Sequence, residues 1–149
     1  MTCFFIGHHN APECLRPLLE ESVERHITEC GVIHFTVGQY GAFDRMAAEA
    51  LKAAKKRHPE VTLSLLLPYH PVDRPIQTPD GFDNTFYPPG MESVPRRGAI
   101  VRANQYMIQH SNYLITYNRG HGNTGDLLET AQRRAQKGQM HIENLAEKL

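Results

Sequence analysis

The residues that could do chemistry gather around glycine. Between Ser111 and Ala131 a β-branched and aromatic run, Tyr113 to Tyr117, passes into Asn118, Gly120 and Gly122. Beyond Thr124 the apolar positions Leu127, Leu128, Ala131 and Ala135 recur at helical spacing. The stretch reads as a strand, a glycine-rich turn and a helix N-terminus. Glycine lets backbone approach a ligand closely, and the free N–H groups and positive dipole end of a first helical turn favour an anion such as phosphate. Gly120, Gly122, Asn123 and Thr124 are therefore candidate phosphate ligands. The turn is not a Walker loop, because no Lys-Ser or Lys-Thr follows, and its spacing does not match a dinucleotide fingerprint. Taken alone, it is equally explained by turn geometry.

Two more glycine turns carry reactive side chains. Gly7-His8-His9 follows the apolar run Thr2 to Ile6, and Gly38-Gln39-Tyr40-Gly41 follows Val32 to Val37, with Asp44 just inside the next helix. Asp44, Asp126 and Glu129 are the carboxylates available for acid–base work, with His8 nearby in the same scheme. Asn104 shares a helical face with Ile100 and Ile108, so its amide needs a partner, either a neighbouring loop or a ligand. Arg102 and Arg119 could neutralise phosphate or stand as salt-bridged surface residues. The nine histidines do not read as a metal site. His8 and His9 are adjacent and cannot both face one ion from an extended segment, and no ligand-spaced His or Cys pair occurs. His26, His58 and His141 are expected on surfaces or helix ends. Cys3, Cys14 and Cys30 are odd in number and lack Cys-x-x-Cys spacing, which reads as reduced thiols in a reducing compartment, Cys3 as inert core.

These residues need a scaffold, and the chain supplies one in a regular rhythm. Thr2 to Ile6 is a first strand buried on both faces, and Pro12 opens a helix with the stripe Leu15, Leu18, Leu19, Val23, Ile27 that stops at Gly31. Val32 to Val37 is a second strand. A helix with Phe43, Ala47, Ala50, Leu51 and Ala54 ends before Pro59, and Val61 to Leu67 is a third strand. Residues 68–91 break the rhythm with a proline-stiffened, aromatic insertion that suits a lid, a binding loop or an excursion with its own edge strand near Thr85 to Tyr87. A helix from about Val94, with Ser93 as cap and Pro95 in its first turn, runs to His110 and buries Ile100, Val101, Met107 and Ile108. After the Tyr113 strand come a helix from Asn123 to Lys137, a short strand near Met140 to Ile142 and a frayed terminal helix. The 149 residues make one domain, 1–149. Its class is α/β: a Rossmann-like, doubly wound, mostly parallel sheet of about five strands with helices on both faces. With strand order 3-2-1-4-5, the first strand and the Tyr113 strand are neighbours at the topological switch point, where ligands bind outside the carboxyl ends. All three glycine turns then border one rim.

Lys and Arg balance Asp and Glu at 16 each, so charge gives no reason to expect nucleic acid or an anionic membrane as partner. No apolar run approaches a membrane span, and the N-terminus lacks a signal-peptide pattern, which points to the cytoplasm. A homo-oligomer stays open, since the Pro-rich excursion could equally be an interface.

Four segments together resemble the YpsA-like branch of the SLOG superfamily, related to DprA and to the Lonely Guy phosphoribohydrolases. They are Phe5-Ile6-Gly7-His8-His9, the stretch from Gly38 through Gly41, Phe43 and Asp44 to Ala47-Ala48-Glu49, Ala103-Asn104-Gln105-Tyr106-Met107, and Gly122-Asn123-Thr124. The resemblance covers most of the chain. It implies a Rossmann-like fold and a ligand that is a nucleotide or is derived from one, including NAD-related and ADP-ribose-like molecules, bound by sensors or by enzymes. No resident cofactor or metal is required. The chain also departs from the pattern: Leu127 stands where Lonely Guy enzymes carry a catalytic Glu, and His9 and Ala103 replace arginines. Glycosidic cleavage needs a carboxylate, so a standard phosphoribohydrolase is not expected, and Asp44, Asp126 or Glu129 could substitute only in suitable geometry. Binding or sensing of a nucleotide-derived molecule is the leading expectation. A nucleotide hydrolase and an interaction module with a vestigial pocket are the alternatives.

Overall fold

Four consecutive buried apolar residues, Cys3, Phe4, Phe5 and Ile6, make the first strand one that must be covered on both faces. A computed structural model describes residues 1–119 and 125–149 and shows how this is done. The strands are β1 (Thr2–Gly7), β2 (His34–Val37), β3 (Thr62–Leu66), β4 (Asn84–Phe86), β5 (Tyr113–Tyr117) and β6 (His141–Asn144). The helices are α1 (Arg16–Thr28), α2 (Ala42–Arg57), α3 (Ala99–His110) and α4 (Gly125–Gln136). The six strands lie in the order β4-β3-β2-β1-β5-β6, and every neighbouring pair is parallel. Side chains alternate across this sheet. Cys3 and Phe5 join Phe35, Val37 and Leu63 beneath Leu19 and Val23 of α1 and Met46 and Leu51 of α2. Phe4 and Ile6 join Leu114 beneath Ala103, Met107 and Ile108 of α3 and Leu127 and Ala131 of α4.

The α/β, doubly wound architecture is as the sequence predicts, with the expected strand order at its centre and one strand added. That strand, β4, comes from the Pro-rich insertion and pairs Ser64 with Asn84 and Leu66 with Phe86 at the sheet edge. Several local boundaries differ from expectation. The helix expected from Val94 starts at Ala99, because Pro95 holds an extended backbone (φ −58°, ψ 145°) and Arg96–Gly98 form a 3-10 turn first. Val101 is 45% exposed, on the outer side of α3. Pro12 caps a 3-10 turn, Glu13–Leu15, and it is Pro17 that occupies the first turn of α1. The terminal segment is not a frayed helix: β6 continues to Asn144, whose side chain accepts from the Ala146 N–H and caps a 3-10 turn, Leu145–Lys148. His26 lies in the last turn of α1, at a helix end as expected, and is buried there; its Nδ1 lies 2.7 Å from the Ser22 carbonyl, and burial pushes its pKa down.

Gly7 shows how closely β1 fits its cover. A Cβ at this position would stand 2.6 Å from Cγ of Phe43, whose ring lies in the core beneath α2. Glycine is needed here for packing, whatever a ligand adds. Gly7→Ala is expected to destabilise the fold by about 1–3 kcal/mol through overpacking. The same substitution in a Phe43→Leu background should cost measurably less, and a double-mutant cycle by denaturant unfolding reads the coupling.

Candidate functional site

Parallel strands end at one edge, so the loops after β1, β2, β3 and β5 meet there. The β1–β5 ladder pairs Gly7 with Tyr117 and is extended by the His8 N–H donating to the Tyr117 carbonyl at 3.1 Å. The His8 ring is buried edge-on against Tyr117, and its Nε2 accepts from the Arg119 N–H at 2.9 Å. Asn144 fastens the same corner: its Oδ1 accepts from the Asn118 N–H at 3.1 Å and its Nδ2 donates to the Asn118 carbonyl at 2.9 Å. The two loops at the switch point are thereby held together from both sides.

The β1 and β2 loops are locked by glycine. Gly41 has φ 127°, and a Cβ there would stand 2.6 Å from the His9 Cα. This close approach lets the Ala42 N–H donate to the His9 carbonyl at 2.7 Å. Gly41 also serves as N-cap of α2, which puts Asp44 in the helix's first turn, where its Oδ2 accepts from the Tyr40 N–H at 3.0 Å. Gly38 sits against the same carboxylate, its would-be Cβ 3.0 Å from Oδ2.

These residues line a cavity of about 510 Å³ beside α2, over the carboxyl ends of β2 and β3. His9, Gly38, Gln39, Gly41, Asp44 and Arg45 form its polar side; Ala42, Ala48 and Leu65 form an apolar floor, and Pro79 and Phe82 of the insertion close the far wall. Its size and mixed lining suit a small organic ligand. Burial raises the Asp44 pKa to about 6, against the opposing pull of the Tyr40 N–H. A carboxyl group titrating near neutrality can accept hydroxyl groups of a sugar when ionised and can take up or give a proton. The exposed cation Arg45 lines the same cavity, so it holds one acidic and one basic side chain.

The predicted site residues divide accordingly. Gly38, Gly41 and Asp44 line the cavity. Gly7 and His8 stand at the same edge, but Gly7 is packed against Phe43 and His8 is tied between β1 and β5. Asn104 is half-buried on α3, outside this lining and without a hydrogen bond to a described residue. Asp126 and Glu129 are exposed on α4, Glu129 lying 3.9 Å from Arg133, and neither reaches the cavity. Leu127 is core. Arg102 and Arg119 are exposed and form no ion pair among the described residues. Gly120, Gly122, Asn123 and Thr124 lie outside the described residues. His9, Gln39, Pro79 and Phe82 were not singled out from sequence as site residues. In the sequence His9 and Gln39 stand out only as members of the glycine turns, His9 also as a replaced arginine, and the two insertion residues only by belonging to a segment suited to a binding loop.

The Asp44 shift has a signed consequence. Its folded pKa of about 6 exceeds the ordinary 3.8, so the folded state gains a proton preferentially in that window, and this contribution to stability is complete below 3.8 and lost as pH rises through 6. Asp44→Asn, which keeps an acceptor for the Tyr40 N–H, is expected to raise the denaturation midpoint above pH 6 and to flatten its pH dependence between 3.8 and 6. Urea titrations of both proteins across that range measure the difference. Neither a protein-family model nor a curated protein matches this chain.

Proposed function

We propose that the crevice binds a nucleotide-derived small molecule, in the manner of a sensor. The observation that carries this reading is the cavity over the carboxyl ends of β2 and β3 in a doubly wound sheet, with half-buried Asp44 in its wall and His9, from the loop after β1, at its rim. In this reading Asp44 accepts the vicinal hydroxyls of a ribose, and Leu65, Pro79 and Phe82 provide apolar surface for a planar base. The phosphate end points toward the corner of His8 and Arg119. Membership of the YpsA-like branch is part of the same proposal. Among the described residues, no helix is long and apolar enough to cross a membrane.

One observation favours a second reading. A carboxyl group with a pKa of about 6 is suited to general acid–base work, so hydrolysis of a nucleotide at its glycosidic bond, with Asp44 as the acting group, remains the alternative. Asp126 and Glu129 do not support it, being exposed on α4.

Thermal denaturation with ADP-ribose, NAD and AMP tests the first reading. A ligand at about 100 times its dissociation constant adds ~2.7 kcal/mol of stability, a readily seen rise in Tm. The rise should appear with at least one of the three and shrink in Asp44→Asn. Absence of any rise with all three sinks the proposal and leaves an interaction module. Chromatography after long incubation separates the second reading: free base or ribose phosphate that appears with the native chain and not with Asp44→Asn establishes hydrolysis.

A further inference from the structure

The half of the sheet opposite α2 carries a second, chemically different site. On this face α3 and α4 pack over β1 and β6, with Leu114 of β5 between them. Leu66 of β3 and Phe86 of β4 join this core at their carboxyl ends, while the rest of this face of β2, β3 and β4 lines an open groove, although a parallel sheet is ordinarily buried on both sides. The residues there are polar. In register across neighbouring strands run two rows, Thr2–His34–Thr62 and Thr36–Ser64–Asn84. The opposite face of the same strands is apolar, with Phe35, Val37 and Leu63 in the core.

These rows floor a groove of about 610 Å³, walled by α3. The wall is aromatic: Phe86 and Tyr106 have ring centroids 5.8 Å apart, and His110 stacks on Tyr106 at 4.0 Å. Thr36 is only 6% exposed, and its hydroxyl makes no hydrogen bond to any described residue. Yet it is not sealed as the Ser111 and Thr116 hydroxyls are, so its remaining access is to the groove. The side chains of Thr62, Ser64 and Asn84 likewise have no hydrogen-bonded partner among the described residues. No Asp, Glu, Lys or Arg lines the groove. Neighbouring strands lie about 4.8 Å apart, and alternate residues along a strand about 7 Å, so the floor presents donors and acceptors at the separations found around one sugar ring.

We infer that this groove binds a neutral saccharide of one or two rings. Its hydroxyls meet the Thr36–Ser64–Asn84 row, and its apolar face rests on Tyr106 and Phe86. The absence of cationic side chains speaks against a polyanion such as nucleic acid. The site lies toward the amino-terminal half of the strands on the α3 side, away from the crevice beside α2, and does not depend on what that crevice binds.

Amide-resolved NMR titration of the full chain with glucose, maltose, cellobiose and N,N′-diacetylchitobiose is the test, with AMP as a charged control. At least one saccharide should give saturable shifts at Thr36, Ser64, Asn84 and Tyr106, with the amides of Gly38 and Asp44 unmoved. Thr36→Val, which keeps the side-chain shape, and Tyr106→Leu should each weaken binding by about tenfold, the scale of one lost hydrogen bond or contact surface. Three results overturn the inference: no saturable shift with any saccharide, shifts that survive Thr36→Val unchanged, or equal shifts with AMP. Self-association in sedimentation equilibrium that is abolished by Thr62→Arg also overturns it, assigning the face to a second copy of the chain.

Discussion

A strand that buries both of its faces has to find cover on both, and β1 sets this requirement for the whole molecule. Phe4 and Phe5 are 1% exposed on opposite sides of the sheet, each contributing roughly 1.5–3 kcal/mol by leaving water. Helices α1 and α2 answer one side, α3 and α4 the other, and the connections that bring them there leave β1 and β5 in opposite directions. The crevice lies beside that point, over β2 and β3, where α2 and the insertion close on the same edge. Binding geometry at this edge is a by-product of how the core is closed.

Much of this was legible in the residues. The uninterrupted apolar run of β1 and the helical stripes of α2 and α4 announce their elements because each buried face is set by local periodicity. The short strand β4 lies one residue from the edge strand expected near Thr85 to Tyr87, one of three readings of the insertion, and little in the residues singles that reading out. Asn84-Thr85-Phe86 has no alternation to mark it, and its strand conformation is imposed by the neighbouring strand and by Asp83, whose carboxylate accepts from the Leu63 N–H at 2.7 Å. The start of α3 was misplaced because Ser93 and Pro95 form a credible cap signal, while the real start is decided by packing of Ala99 against the core. The helix-end place of His26 is legible, but its burial is not, because that depends on the Tyr113 ring packed against it from β5.

The candidate site divides along the same line. Asp44 and its glycines are close in sequence, since a turn and the first turn of a helix hold them together, and spacing alone brought them forward. His9, Pro79 and Phe82 come from segments distant in numbering, and only the fold makes them neighbours. His8 illustrates the reverse. Its place in a glycine motif marks it as a ligand contact, yet its Nε2 accepts a backbone N–H that sews two loops together. A motif residue can hold a binding edge in shape without facing the guest.

The far wall of the crevice is fastened differently from its floor. Beyond the three residues of β4, the insertion is anchored by Asp83, whose carboxylate lies 2.6 and 2.7 Å from the Lys55 ammonium. Burial opposes ionisation of Asp83, but Lys55 and the Leu63 N–H outweigh it and keep the carboxyl below its ordinary range. Phe82 packs against the core and its ring lies 5.3 Å from the Lys52 ammonium, so two lysines of α2 fasten the wall that faces Asp44 of the same helix.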